Sequence, residues 1–180
     1  MQFLQNIKLI QGGMGAYVSN WRLARSVAME RPGVTAGTVS GTALDVVYTR
    51  LLQLGDPGGH VRQALEAFDA KFGTEIGHKI LNRFFIEGGK APDAHFKVSP
   101  MHIVRGELGE STFKMPNGTM PTIPLTLDDN VIELLIATGF AEVWLAKQGH
   151  DGNIFINFLH KIELPLVYAI YGAMLAGVDH

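Results

Sequence analysis

Residues 7–15 read Ile7-Lys8-Leu9-Ile10-Gln11-Gly12-Gly13-Met14-Gly15, a short apolar stretch that breaks into a glycine-rich loop. A strand opening through glycines toward a helix belongs to an α/β fold. This one suits the first strand of a large (β/α) barrel, with backbone poised against a planar phosphorylated cofactor. Length sets the opposing constraint. Such barrels run to about 250 residues, whereas this sequence has 180. Two folds satisfy both facts: a smaller α/β domain, or the N-terminal portion of a TIM (β/α)8 barrel.

The order of segments favours the partial barrel. After the glycine loop, Ser19 or Asn20 can cap a helix that runs through Arg31, with Trp21, Ala24, Val27 and Ala28 on one face. Gly33 ends it, and residues 34–40 read as a second, buried strand. Gly41-Thr42 leads into a helix carrying Leu44, Val47, Tyr48 and Leu51. Asp56-Pro57 is a cap followed by proline at a first helical position, and Val61, Ala64, Leu65, Phe68 and Phe72 continue at helical spacing. Residues 76–86 form a further mixed segment ending at Gly88-Gly89.

Residues 88–126 differ. Five prolines, few periodic apolar positions and an Asn117-Gly118 turn mark an irregular insertion with short strands, not a linker between domains. Beyond it, Thr126 or Asp128 can cap a helix carrying Val131, Leu134 and Leu135. A strand is expected at 140–146, a polar loop at 147–152, a second strand at 153–157 and a helix at 165–176. Val178-Asp179 reads as the opening of another strand. The expected organisation is therefore one incomplete barrel domain over residues 1–180.

Composition excludes several classes of function. The chain is 47% hydrophobic and 18% charged with a mean hydropathy of +0.14, against about 25% charged in an average domain. An apolar interior follows, together with some apolar surface that expects a partner or a further segment of chain. Lys and Arg number 15 against 17 acidic residues, a net charge of −2, so no basic footprint for nucleic acid exists. Absence of cysteine removes disulfides, iron–sulfur clusters and thiolate chemistry, and fits a reducing cytoplasm. A first strand near residue 7 leaves no room for a signal peptide, and no apolar run reaches the roughly 18 residues of a membrane helix.

Two places can carry chemistry. Glycines at 12, 13 and 15 let backbone N–H groups approach a ligand, or form an ordinary βα turn. The spacing is neither a dinucleotide fingerprint nor a P-loop. The second place is 147–157. His150-Asp151 lies between two glycines at an expected strand end, and histidine exchanges protons near neutral pH. The same segment also reads as a polar loop capped by Asp151. Asn157 ends an apolar strand, where its amide serves either a cofactor edge or neighbouring backbone. Histidines at 60, 78, 95, 102, 150, 160 and 180 form no H-x-x-x-H pair, so no metal site is expected. No Gly-x-Ser-x-Gly elbow is present either.

Gln11-Gly12-Gly13-Met14-Gly15 with Ser19-Asn20-Trp21-Arg22-Leu23-Ala24 resembles the opening of the nitronate monooxygenase (2-nitropropane dioxygenase-like) family. Further similar blocks are Val39-Ser40-Gly41-Thr42-Ala43, Gly59-His60-Val61-Arg62 and Phe85-Ile86-Glu87-Gly88-Gly89-Lys90-Ala91-Pro92. Ala146-Lys147-Gln148-Gly149-His150-Asp151-Gly152 and Tyr171-Gly172-Ala173-Met174-Leu175-Ala176-Gly177-Val178-Asp179 extend the likeness along the chain.

The resemblance implies a TIM barrel, non-covalent FMN and oxidation of alkyl nitronates by O2. It implies Gly12, Gly13 and Met14 along the flavin ring and Asn157 at the flavin, with Lys147 a further cofactor candidate and His150 a weaker catalytic one. Glycine loops that grip the FMN phosphate, and the family's catalytic histidine, belong to later strands, so no catalytic residue is assigned. His180, at the chain terminus, is not nominated. Related alternatives are an NAD(P)H-dependent flavin enoyl-reductase, or a non-catalytic portion that completes its barrel with another chain or as a homo-oligomer. The expected partners are a small-molecule substrate with O2 or NAD(P)H, without nucleic acid or membrane.

Overall fold

The computed structural model describes residues 6–98, 104–105, 126–159 and 163–180. These form a mixed α/β domain with a three-stranded parallel sheet, a two-stranded antiparallel ladder and six helices among the described residues. Strand β1 (Leu9–Ile10) leads into α1 (Trp21–Glu30), then β2 (Thr35–Ser40). Helices α2 (Leu44–Gln53), α3 (His60–Phe72) and α4 (Ile76–Phe84) follow. The short strands β3 (Val104–Arg105) and β4 (Thr126–Leu127) pair antiparallel, and α5 (Asp129–Ala146), β5 (Asn153–Asn157) and α6 (Glu163–Leu175) complete the order.

The parallel sheet runs β1-β2-β5, with Ile10 opposite Ala36 and Ala36 through Ser40 opposite Asn153 through Asn157. Each new parallel strand is laid beside the last. The trend continues at the other edge of β5, where the Asp179 N–H donates to Ile154 O and the Ile156 N–H donates to His180 O, both at 2.9 Å. Residues 178–180 thus run beside β5 in the same direction, where the sequence suggested a further strand.

Close approach of α1 to β2 depends on glycine. A Cβ on Gly37 would lie 1.9 Å from the Ala24 carbonyl oxygen, in fixed backbone. Asn20 caps α1, its side chain accepting from the N–H groups of Arg22 and Leu23. Ala24, Ala28, Val39, Tyr48, Leu52, Leu65, Ala141 and Ile154 belong to one core that joins the helices to the sheet.

Three expectations change. No strand occupies 140–146: those residues are the second half of α5. Helix α5 is buried almost all round, packed against α6, α3, α2 and α1, so its sequence is apolar on every side and has no helical stripe to read. Helix α3 starts at His60, not at Pro57. Asp56 still caps it from a distance, accepting from the N–H groups of Val61 at 3.1 Å and Arg62 at 3.0 Å, while residues 57–59 turn beneath. Residues 76–84 are plain helix rather than mixed structure.

Of the expected insertion, 88–98 and the β3–β4 ladder are described, and Asn117-Gly118 lies outside the described residues. Its first stretch is laced to the end of α2 by buried Gln53. The Gln53 amide donates to Lys97 O at 3.0 Å and accepts from the Lys97 N–H at 2.6 Å.

Candidate cofactor-edge site

Parallel strands end on one edge, and there the glycine loop meets Asn157. Gln11 follows β1 directly. Its Oε1 accepts from the Thr38 N–H on β2 at 3.0 Å, and its Nε2 donates to Ser19 Oγ at 3.0 Å and to Gly12 O. Ser19 is buried and saturates its hydroxyl in the same place. It accepts from the Met14 N–H at 2.9 Å and donates to Gly12 O at 3.2 Å. Ser19 also ties the loop to the sheet, its carbonyl accepting from the Ser40 N–H at 2.8 Å. The loop is therefore pinned from below, with Met14 exposed above it.

Asn157 ends β5 beside Ser40. Its Nδ2 donates to Gly13 O at 2.8 Å, across 144 positions of sequence. A Cβ on Gly13 would lie 2.2 Å from Asn157 Oδ1, so the approach needs glycine. No other side-chain hydrogen bond of Asn157 exists among the described residues, which leaves Oδ1 and one N–H open on an exposed side chain. Gly12, Gly13, Met14 and Asn157 thus converge. The groups offered are backbone amides, carbonyls and a neutral carboxamide, suited to binding the polar rim of a planar ring. Gln11, Ser19, Ser40 and Asn157 carry no charge, and no nucleophile–base pair is assembled among them.

Lys147 and His150 do not join this edge. Because 129–146 is a helix, residues 147–152 are the loop entering β5 and lie at the opposite end of the sheet. Lys147 Nζ pairs with Asp179 Oδ2 at 2.7 Å, and the same carboxylate accepts from the Ile154 N–H at 2.8 Å. The His150 ring is held inside its own loop, Nε2 2.7 Å from Ala146 O and Nδ1 accepting from the Gly152 N–H at 3.0 Å. Both residues fasten the helix-to-strand turn. The His180 ring lies 5.4 Å from that of Phe155, and its backbone extends the sheet.

Sequence reasoning missed a buried acid beside the start of α1. Glu142 of α5 is fully buried, and its Oε2 accepts from the Tyr48 hydroxyl at 2.6 Å. Burial pushes its carboxyl up to about 8, against the favourable pull of the Tyr48 hydroxyl, the Trp21 backbone and Arg22. The Tyr48 hydroxyl is held well above its ordinary range by burial and then by the nearby Glu142 charge, and Tyr17 is raised for the same two reasons. Glu142 Oε1 has no hydrogen-bond partner among the described residues. One carboxylate inside the apolar run 134–146 was the available signal.

Among the described residues, no group of three metal-ligating side chains occurs, and no helix is long and apolar enough to cross a membrane. Comparison of the chain with protein-family models, with curated proteins and with solved structures finds no match.

Proposed function

We propose that the chain is the N-terminal portion of an FMN-dependent oxidoreductase of the nitronate monooxygenase type, built on a TIM (β/α)8 barrel. The observation that carries this reading is the meeting of Gly13 and Asn157, two residues 144 apart, at the C-terminal edge of a parallel sheet. Barrel enzymes place their chemistry at that edge. Strands added one beside the next, with residues 178–180 lying beside β5, agree with the winding of a barrel and support that reading.

The donor set fits the rim of a flavin ring. Gly12 and Gly13 would bring backbone close to the ring, Met14 would cover it, and Asn157 would orient a polar edge through its open amide groups. Gln11 and Ser19 hold the loop in place, so little ordering remains for binding to impose. FMN, when bound, would supply the redox chemistry between an alkyl nitronate and O2. The protein's share is to bind, orient and exclude water.

A second feature supports a complementing segment or chain. Along α6, Val167, Ile170, Tyr171 and Met174 fall at i, i+3, i+4 and i+7 and are exposed, as are Leu9 and Ile10 on edge strand β1. A barrel closes such edges with further strands and covers such a helix face with further helices.

FMN titration followed by flavin absorbance and fluorescence tests the proposal. Saturable binding that Asn157→Ala weakens and His150→Ala leaves intact is expected. Failure of the chain to bind FMN, or equal retention by both variants, overturns it. Rapid anaerobic bleaching of bound flavin by NADPH would favour an enoyl-reductase activity over nitronate oxidation.

A further inference from the structure

Beside the Gly13–Asn157 edge lies a cavity of about 70 Å3 between the start of α2, the middle of α5 and the start of α6. Gly41, Ala43, Leu135, Phe158, Leu166 and Ala169 contribute to its wall. It adjoins the candidate site through covalent neighbours. Phe158 follows Asn157, and the Gly41 N–H donates to the Asn157 carbonyl at 2.8 Å. The Phe158 ring lies flush on Gly41, where a Cβ would stand 2.3 Å from the ring.

Three features make this a built cavity. Its lining is mostly apolar; of the polar side chains on its wall, Thr42, buried Asp45 and Thr138, the Thr138 hydroxyl is already bonded within α5, donating to Leu134 O at 2.8 Å. Water entering would find few partners, so an apolar group gains by filling the space. Deeper along the helix pair, α5 and α6 are locked by glycines. A Cβ on Gly172 would meet Ile136 O at 2.1 Å, and one on Gly139 would meet Ala169 O at 2.5 Å. The α6 wall at Leu166 and Ala169 is therefore bounded by a rigid contact. Finally, Ala43 holds the left-handed conformation, φ 56° and ψ 36°, with no side-chain cap on α2. Left-handed backbone is unfavourable for alanine, and such strain gathers at ligand-facing positions.

We propose that this cavity binds a short aliphatic group of the substrate, and that Leu166 and Leu135 set the permitted chain length. A cavity on the order of 150 Å3 accepts benzene. Half of that volume admits a chain of about three carbons and excludes a ring. The role in catalysis rests on the flavin reading, whereas the binding itself does not.

The test uses the whole chain without flavin and a series of 1-alkanols from ethanol to hexanol, followed by methyl NMR of leucine and alanine. Saturable shifts at Leu135, Leu166, Ala43 and Ala169 are expected. Affinity should tighten roughly fourfold per methylene up to propanol or butanol, then stop improving. Leu166→Ala should move that limit to longer alcohols, and Leu166→Trp should abolish binding. Non-saturable shifts, shifts centred elsewhere, or a limit unmoved in Leu166→Ala would overturn the assignment. Alkanol binding without FMN binding would leave the cavity standing and remove the flavin reading; the converse would remove only the cavity.

Discussion

Replacing Glu142 by glutamine should change how stability depends on pH more than any surface charge could. In the folded chain burial raises the carboxyl to about 8, against an ordinary value of 4.5. A group raised on folding favours the native state fully below its unfolded value. That contribution fades as pH climbs toward the folded value, because the unfolded chain releases its proton first. The wild-type protein should therefore lose stability through this one group from about pH 4.5 to about pH 8, at roughly 1.36 kcal/mol per pH unit. Over the interval from about pH 5 to pH 7.5 the loss is about 3 kcal/mol, a large share of a typical domain's stability. Glu142→Gln keeps the shape and an acceptor for the Tyr48 hydroxyl but cannot ionise. Urea unfolding of both proteins at several pH values isolates the effect, since every other titrating group is common to the pair. The variant should be close to wild type near pH 5 and gain on it steadily up to pH 8. Curves that stay parallel would refute the claim that a neutral carboxyl is held in the core.

Other perturbations separate the site from its scaffold. Gly13→Ala should push the Asn157 amide off Gly13 O, at a stability cost of about 1 kcal/mol, while lowering FMN affinity more than Asn157→Ala does; titration of the two variants side by side checks the order. Gly37→Ala meets backbone rather than a movable side chain and should destabilise by about 3 kcal/mol, read from the urea midpoint. Lys147→Ala breaks a partly exposed pair with Asp179 and should cost no more than about 1 kcal/mol, with FMN affinity unchanged; a loss of flavin in that variant would return Lys147 to the cofactor site.

What could be read from sequence followed the length of the pattern behind it. Helices α1, α2 and α3 each expose one face and bury another, and their stripes are visible in Trp21-Ala24-Ala28, Leu44-Tyr48 and Val61-Leu65-Phe68. Strand β2, flanked by glycines and buried throughout, was equally clear. Helix α5 was not, because burial on nearly all sides removes the periodicity that separates helix from strand. That one error carried the expected position of His150 with it. A strand at 140–146 would have put His150 at a catalytic strand end, whereas a helix there puts the loop 147–152 at the far end of the sheet. Gly13 and Asn157 could each be singled out by local pattern, but their meeting is a tertiary fact set by the β2–β5 register. Asp56 shows a milder version: its capping role was legible, and the three-residue gap before α3 was not.

The central claim is that the Gly12–Met14 backbone and the Asn157 amide form one binding surface for a flavin ring. Amide-resolved NMR of the chain titrated with FMN tests it most directly. Saturable shifts at the backbone N–H groups of Gly12, Gly13 and Met14, together with the Asn157 side-chain NH2, are predicted. Shifts confined to residues 147–152, or none in the glycine loop at saturating FMN, would contradict it.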